Sequence, residues 1–543
     1  MKHWTNTLST TAAVALTLLG AACGGGETGS IEPGATAYAV EPTEILPSSA
    51  QLLALGEQTY QKQCLACHGA EGNGEGEAAY LLYPRPRDFT AARYRLVSTW
   101  DTVPTDEDLF RAISRGMPGS GMPSWAHLPE ETRWGLVHHI KGFASRDLTV
   151  QPDSDPPSFG ASGTGMIRVP PEPPYDDDAR ARADELYVMG CAPCHGDTGK
   201  GDGPQDQVDS EGYATRPRDL TAGVYKGSPE PEELYRRIVA GLPGSPMPQS
   251  AYLDGDDAWH LVHLVRGMSS DEQRAKVEMR RFQIVAERVT ALPTHPDDGV
   301  WGEALAVNLH LMPLWWRDDR PEELNVKALH DGTRIALRLR WFDDTNDTTA
   351  IRPQDFRDAA AVQFALADDP PFFAMGQADS PVNIWMWKSE RQADLDLAFQ
   401  DLERIYPNTG IDSYPNPFIS PLEQPMRHAL TLESDPRFVT GWGAGNIVSD
   451  PTRRSAAEDL RAGGFGTLRA RPLTDQDVSA LGHYEIGSYE VVFTRPMNPG
   501  GTDAAVLSPG SATTVSFAVW DGSAGDRDGK KSVTIWQDLV IQP

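Results

Sequence analysis

Cys64-Leu65-Ala66-Cys67-His68 and Cys191-Ala192-Pro193-Cys194-His195 are two copies of the pentapeptide Cys-x-x-Cys-His. Two thiols at this spacing can each add across a vinyl group of haem, and the adjoining His then lies close enough to offer its imidazole to the iron. Cys64, Cys67, Cys191 and Cys194 are therefore expected to carry two covalent c-type haems, with His68 and His195 as iron ligands. A bare Cys-x-x-Cys reads equally as a zinc or redox dithiol site. The His directly after the second Cys, present twice, separates these motifs from that reading and points to electron transfer.

Cys191 follows Cys64 by 127 residues, and the likeness runs well past the motifs. Arg85-Pro86-Arg87-Asp88-Phe89-Thr90 returns as Arg216-Pro217-Arg218-Asp219-Leu220-Thr221, and Trp134-Gly135-Leu136-Val137-His138 as Trp259-His260-Leu261-Val262-His263. Gly116 through Pro123 returns as Gly241 through Pro248. Two tandem copies of one domain explain this. Apolar spacing predicts helices over Leu52–Gln63 and Ala179–Val188 before the motifs, Asp106–Ser114 and Glu230–Val239 in the middle, and Arg133–Phe143 and Ala258–Val265 at the close. The paired Arg85/Arg87 and Arg216/Arg218 are candidates for holding haem propionates through charge-assisted bonds.

Each copy resembles the class I cytochrome c domain, a mostly helical fold around one haem, over roughly residues 49–150 and 179–275. The resemblance implies a second axial ligand from a downstream Met, which falls on Met122 in Gly121-Met122-Pro123 and on Met247 in Pro246-Met247-Pro248. A thioether opposite imidazole raises the potential of the iron and suits a relay. Met117 is a rival in the first copy, but its counterpart is Leu242, which cannot ligate. His138, His139, His260 and His263 leave bis-His ligation open as a second alternative.

The chain has 543 residues, 48 basic and 77 acidic side chains, and a net charge of −29. Its length calls for several folded units. The acidity excludes nucleic acid as an expected partner and leaves a solvated surface or the steering of a basic redox partner. Of five cysteines, four lie in the haem motifs, and the fifth is Cys23. Met1-Lys2-His3, the short apolar run Ala12 to Leu19 and Gly20-Ala21-Ala22-Cys23 resemble a bacterial lipoprotein signal. That resemblance implies removal of residues 1–22, lipidation of Cys23, and an exported, periplasmic or membrane-tethered protein with residues 23–48 as a flexible tether. Export fits c-type haem, which is attached outside the cytoplasm in the bacterial proteins the motifs resemble. Residues 151–178, rich in Pro, Gly, Ser and Asp, read as a linker between the two copies.

From about residue 276 the pattern changes, and no further Cys occurs. A helix is expected over Arg274–Val289. Short alternating segments follow at Leu305–Leu311, Arg334–Trp341, Ala360–Leu366, Val382–Trp387, Tyr489–Thr494, Thr514–Trp520 and Ser532–Gln537, which argue for an antiparallel β-sandwich. The expected fold is thus multidomain, two mostly α domains followed by a β-sandwich over 276–543. Trp301, Trp315, Trp316, Trp341, Trp385 and Trp387 are expected in the sandwich core, and the insertion from Ser389 to Val439 has no assigned role.

Asp358-Ala359-Ala360-Ala361-Val362-Gln363-Phe364, Phe373-Ala374-Met375-Gly376, Pro381 through Lys388, Gly463-Gly464-Phe465-Gly466-Thr467, and Phe517 through Gly522 with Gly529-Lys530-Lys531-Ser532 resemble the haem b subunit of the ethylbenzene dehydrogenase, dimethylsulfide dehydrogenase and nitrite oxidoreductase group. The resemblance implies one non-covalent haem b between Met375 and Lys531, with Lys530 as the alternative. It also implies a molybdenum oxidoreductase with an iron–sulfur subunit as partner. Burial against the haem would favour the neutral amine that a Lys ligand needs. The expected function is an exported, non-catalytic electron relay between a haem b module and two haem c modules. The alternatives are a di-haem peroxidase, which needs one open iron, and a di-haem cytochrome wired to a haem-free binding sandwich.

Overall fold

The computed structural model describes residues 35–36, 38–152, 163–317, 319–396, 406, 408 and 455–543. Cys23, the signal-like segment and most of the 389–439 insertion lie outside the described residues. Among those described, no helix is long and apolar enough to cross a membrane. Residues Gly34–Pro543 form one compact unit.

The first repeat is built from helices α1 (Ala50–Gln63), α2 (Leu65–His68), α3 (Asp106–Arg115) and α4 (Glu130–Lys141). The second is built from α5 (Asp177–Gly190), α6 (Ala192–His195), α7 (Pro231–Ala240) and α8 (Gly255–Gly267). Side-chain caps start several of them: Ser49 receives the N–H of Leu52, Asp176 that of Ala179, and Thr105 forms a capping box with Asp108. Helices α1 and α4 cross where glycine meets glycine. A Cβ on Gly56 would lie 2.0 Å from the carbonyl oxygen of Gly135, so only glycine permits this approach. Trp134 and Trp259 fill the corresponding cores, fully buried on α4 and α8.

The segments read as tether and linker are strapped down where they are described. Arg133 donates to Ala39 O, the Trp134 indole to Glu44 O at 3.0 Å, and His138 Nε2 lies 2.8 Å from Leu46 O. The Trp259 indole likewise donates to Pro170 O at 2.9 Å, while Ile167 is buried and its N–H donates to Ser98 O. Proline and glycine richness signals irregular backbone, but here the carbonyls of that backbone satisfy buried indole and guanidinium donors.

The expected helix Arg274–Val289 is replaced by a short helix α9 (Asp271–Lys276) and a strand, Arg281–Arg288. Ile284 and Ala286 alternate inward at period two, and the strand pairs in parallel with Gln537–Ile541 on one side and Glu323–His330 on the other. One partner lies about 40 residues downstream and the other about 250, and local periodicity registers neither. Among the described residues, the C-terminal half with Ala35–Thr36 forms a 15-stranded sheet whose main path runs Arg469–Ala470, Ala457–Ala462, Val382–Lys388, Ala359–Ala365, Ala512–Trp520, Gln537–Ile541, Arg281–Arg288, Glu323–His330, Arg334–Phe342, Ser488–Pro496, Ser479–Tyr484. All pairings except those two parallel ones are antiparallel along this path. The sheet folds over on itself: Trp387 from one end of the order packs against Trp341 and Tyr489 from the other, at ring distances of 6.2 and 5.4 Å. The two layers are therefore arms of one continuous sheet.

Trp341, Trp385 and Trp387 fill the core between these arms, and Trp301 sits in a smaller cluster. Trp315 and Trp316 depart from the expectation. They stand against the repeats, Trp315 beside Tyr83 and Trp316 beneath the guanidinium of Arg218 at 4.0 Å. Substituting Gly56 by Val should destabilise the first repeat by about 3 kcal/mol or more, because neither backbone can retreat. Denaturant unfolding of the full chain tests this, and an unchanged midpoint would refute the crossing as described.

Candidate functional site

Three cavities lie in a row. The first is lined by Cys64, Cys67, His68, Met117 and Met122 together with Arg85 and Arg87. The second is lined by Cys191, Cys194, His195, Met247, Arg216 and Arg218. The third is lined by Met375 and Lys531 over an alanine-rich sheet face. The first and third share the wall residues Cys67, Leu82, Gly121 and Phe372, and the first and second share Arg218 and Lys226. The first repeat's cavity is thus the middle one.

The two repeats position their donors identically. The Cys-x-x-Cys-His turn follows the long helix without a break, with His68 N donating to Cys64 O and His195 N to Cys191 O. Tyr60 donates its hydroxyl to Gly69 O at 2.7 Å, and Tyr187 to Gly196 O at 2.9 Å, pinning the end of each turn. Downstream, Asp88 Oδ1 caps the N–H and hydroxyl of Thr90, and Asp219 Oδ1 those of Thr221, which makes an Asx turn after each Arg-Pro-Arg. That turn presents the Arg87 carbonyl 3.0 Å from His68 Nδ1. A proton held on Nδ1 leaves Nε2 as the free donor, the arrangement a metal-bound imidazole requires. The Arg218 carbonyl acts on His195 in the same sense, although His195 Nδ1 makes no bond of full geometry.

Burial pushes His68 down to about 4 and lowers His195, so both imidazoles are neutral. Burial raises the thiols of Cys64 and Cys67 to about 12 and that of Cys191 to about 11. Zinc and redox dithiols work as thiolates, so these environments disfavour that alternative. The Met loops also match: Met117 N donates to Met122 O at 3.0 Å and Leu242 N to Met247 O at 3.1 Å. Each hairpin turns on a glycine, Gly116 (φ +72°) or Gly241 (φ +67°), where a Cβ would strike the following Pro backbone. Met122 and Met247 therefore occupy equivalent places facing their Cys and His residues. His138, His139, His260 and His263 line neither cavity. They pack outside, His263 for example on Tyr175 and Glu172.

The floor of the third cavity is written in strand register. Ala361 pairs with Met386 and Ala518, Ala359 with Lys388 and Trp520, and Gln363 with Ile384 and Ser516, all side chains on one face. Alanine in the middle strand leaves space over the sheet that larger residues would fill. Met375 stands over it with φ +63°, a left-handed backbone rare outside glycine and costly to hold. Gln363 Oε1 accepts its N–H at 3.2 Å, and Gly464 donates to its carbonyl at 2.9 Å. Both residues lie in the strings that carry the family resemblance, but their hold on Met375 shows only in the fold.

Opposite, Lys531 Nζ lies 3.9 Å from Met375 Sδ and 4.8 Å from the Trp520 ring centroid. Both donors line the same cavity and reach each other across it, so this pair could hold one iron between them. Burial brings Lys531 down to about 8, towards the neutral amine. Lys530 is exposed and sits over Trp315, outside the cavity.

The loop carrying Lys531 is tied at its start to three buried acids, Asp343, Asp358 and Asp521, whose carboxylate oxygens come within 4.8 Å of one another. Asp358 accepts from Gly522 N at 2.8 Å and from the Tyr489 hydroxyl at 2.8 Å. Burial, with Asp343 beside it, pushes Asp358 up to about 8, and burial pushes Asp343 up to about 7.

Family comparisons divide the chain in the same way. Residues 51–140 match the model for subunit III of cbb3-type cytochrome c oxidase, 181–269 that for cytochrome c, and 316–532 that for ethylbenzene dehydrogenase. The gamma subunit of dimethylsulfide dehydrogenase from Rhodovulum sulfidophilum is 27% identical over 260 residues, 45% of this chain and 73% of that protein. A protein described as a respiratory nitrate reductase haem subunit in Haloferax mediterranei is 24% identical over 258 residues, 46% of this chain and 69% of its own length. The gamma subunit of chlorate reductase from Ideonella dechloratans is 24% identical over 221 residues, 40% of this chain and 64% of its own. The chain carries two cytochrome c-type domains and a C-terminal domain of the ethylbenzene dehydrogenase type.

The raised acids set a pH dependence. Between the ordinary carboxylate range and about pH 8 the folded chain keeps protons that the unfolded chain has released, so their stabilisation is complete at low pH and is lost as pH rises. The melting temperature should fall from pH 5 to pH 9, and Asp343→Asn should flatten that fall in calorimetry. An unchanged slope would remove Asp343 from the effect.

Proposed function

From two cytochrome c-type domains joined to an ethylbenzene dehydrogenase-type domain, we propose a non-catalytic electron-transfer subunit holding two haem c and one haem b. The observation that carries it is the row of three cavities, each with a pair of iron donors and each sharing wall residues with the next. The haems would supply one-electron redox chemistry. The chain's own residues fix where that chemistry occurs. Cys64, Cys67, His68 and Met122 serve the middle site, Cys191, Cys194, His195 and Met247 the outer one, and Met375 and Lys531 the site over the sheet.

The shared walls order the path as haem b, first haem c, second haem c. With His68 and Met122, and His195 and Met247, engaged on their irons, neither c-type site would keep a place for peroxide, which disfavours the peroxidase reading. Relatives named as subunits of dimethylsulfide dehydrogenase and of nitrate and chlorate reductases support a molybdenum oxidoreductase with an iron–sulfur subunit as partner, docking on the haem b domain. Export and lipidation at Cys23 complete the proposal and place the relay at the outer face of a membrane.

A pyridine haemochrome assay should give two c haems per b haem, and c haem alone would overturn the haem b assignment. Lys531→Ala should remove the b-type spectrum and leave both c haems, whereas Lys530→Ala should leave all three. Replacing both Cys64 and Cys67 by Ala should stop reduction of the second haem c from haem b in stopped-flow traces. Unimpaired transfer in that variant would refute the order.

A further inference from the structure

Arg218 and Lys226 belong to the second cytochrome domain, yet both line the cavity of the first as well as their own. Arg87 and Arg95 line the first cavity and act on Lys226 as like charges, together with Arg218. Four cations therefore converge on the wall between the two cytochrome sites. The acids at hand are few. Asp209 pairs with Arg95 at 3.2 Å and Glu211 with Arg87 at 3.4 Å.

Arg218 is 7% exposed, lies flat on Trp316, and keeps its Nε buried without a hydrogen-bond partner. Lys226 is half-buried, and among the described residues it makes no hydrogen bond or ion pair; Asp209 is the one acid that acts on it. Desolvated cations facing one another are unfavourable unless anions arrive to pair with them. A haem brings two propionate carboxylates on one edge, which is the chemistry this wall lacks.

We propose that Lys226 and Arg218 form one carboxylate clamp shared by the two c-type haems, gripping a propionate from each across the domain junction. This rests on the reading that both cavities hold haem. Geometry favours sharing over a private contact, because the same two side chains reach both cavities and, among the described residues, neither forms an ion pair with an acid. A positive charge between two irons stabilises the reduced state of both, so the clamp also links their potentials.

The test is spectroelectrochemical titration of the full, haem-loaded chain. Lys226→Met should lower both c-haem potentials together, and Lys226→Arg should restore both. Lys276→Met, at an exposed lysine of α9, should move neither. A shift in one potential alone, or in none, would overturn the shared clamp. Should Lys226→Met lose haem, Lys226→Gln gives the same comparison. Haem content separates the two levels: a wild-type chain without two c haems fails the functional reading, whereas two haems indifferent to Lys226 fail only the clamp.

Discussion

The peptide of Leu314 is hydrogen-bonded in both directions, its N–H to Lys531 O at 3.0 Å and its carbonyl to the N–H of Tyr83 at 3.0 Å. One residue thus joins the Lys531 loop to the wall of the first cytochrome domain. Trp316 N extends the contact by donating to Tyr83 O, and Gly529 sits against Leu81 so closely that a Cβ would lie 2.8 Å from its methyl groups. The third cavity is built between the sheet and the first cytochrome domain, and these paired backbones hold its two walls together. A bare alanine face would otherwise be an exposed apolar patch, and the first cytochrome domain covers it.

Charge follows a related division. Glu458 is buried between Lys388 at 3.0 Å and Arg391 at 2.5 Å, a network in which each charge has its partner. Arg471 and Asp459, almost fully buried, pair at 2.8 Å in the same domain. The junction between the two cytochrome sites is different: Arg87 and Arg95 have acids beside them, whereas Arg218 and Lys226, which face the same wall, form no ion pair among the described residues. Such places are costly in a bare chain and mark where function takes precedence over stability.

Much of the site was legible early because covalent haem attachment demands adjacent residues. Cys-x-x-Cys-His is local chemistry, and the resemblance to class I cytochrome c then points to Met122 and Met247, which the duplication sets in equivalent loops. The helices of both repeats came close to their expected bounds, since amphipathic spacing and caps act within a few residues. The strands Glu323–His330, Ala457–Ala462 and Ser479–Tyr484 carry no strong local pattern, and Arg281–Arg288 carries a helical one. Each gains its stability from partners far along the chain, and their local sequence is short and mixed. Lys530 and Lys531 are likewise alike in sequence; strand register and the turn before Ser532 alone make one face the cavity and the other Trp315.

The sequence by itself determined the kind of chemistry, the duplication, and the place of the two Cys-x-x-Cys-His motifs, because these depend on bonds and spacings within single segments. Tertiary structure decided the rest. It brought Met375 and Lys531, 156 positions apart, to within one metal's reach. It set the first cytochrome site between the other two, and it turned Arg218 and Lys226 towards a neighbouring domain's cavity. No local pattern encodes these relations, because each depends on which surfaces remain uncovered once the helices and the folded sheet have packed.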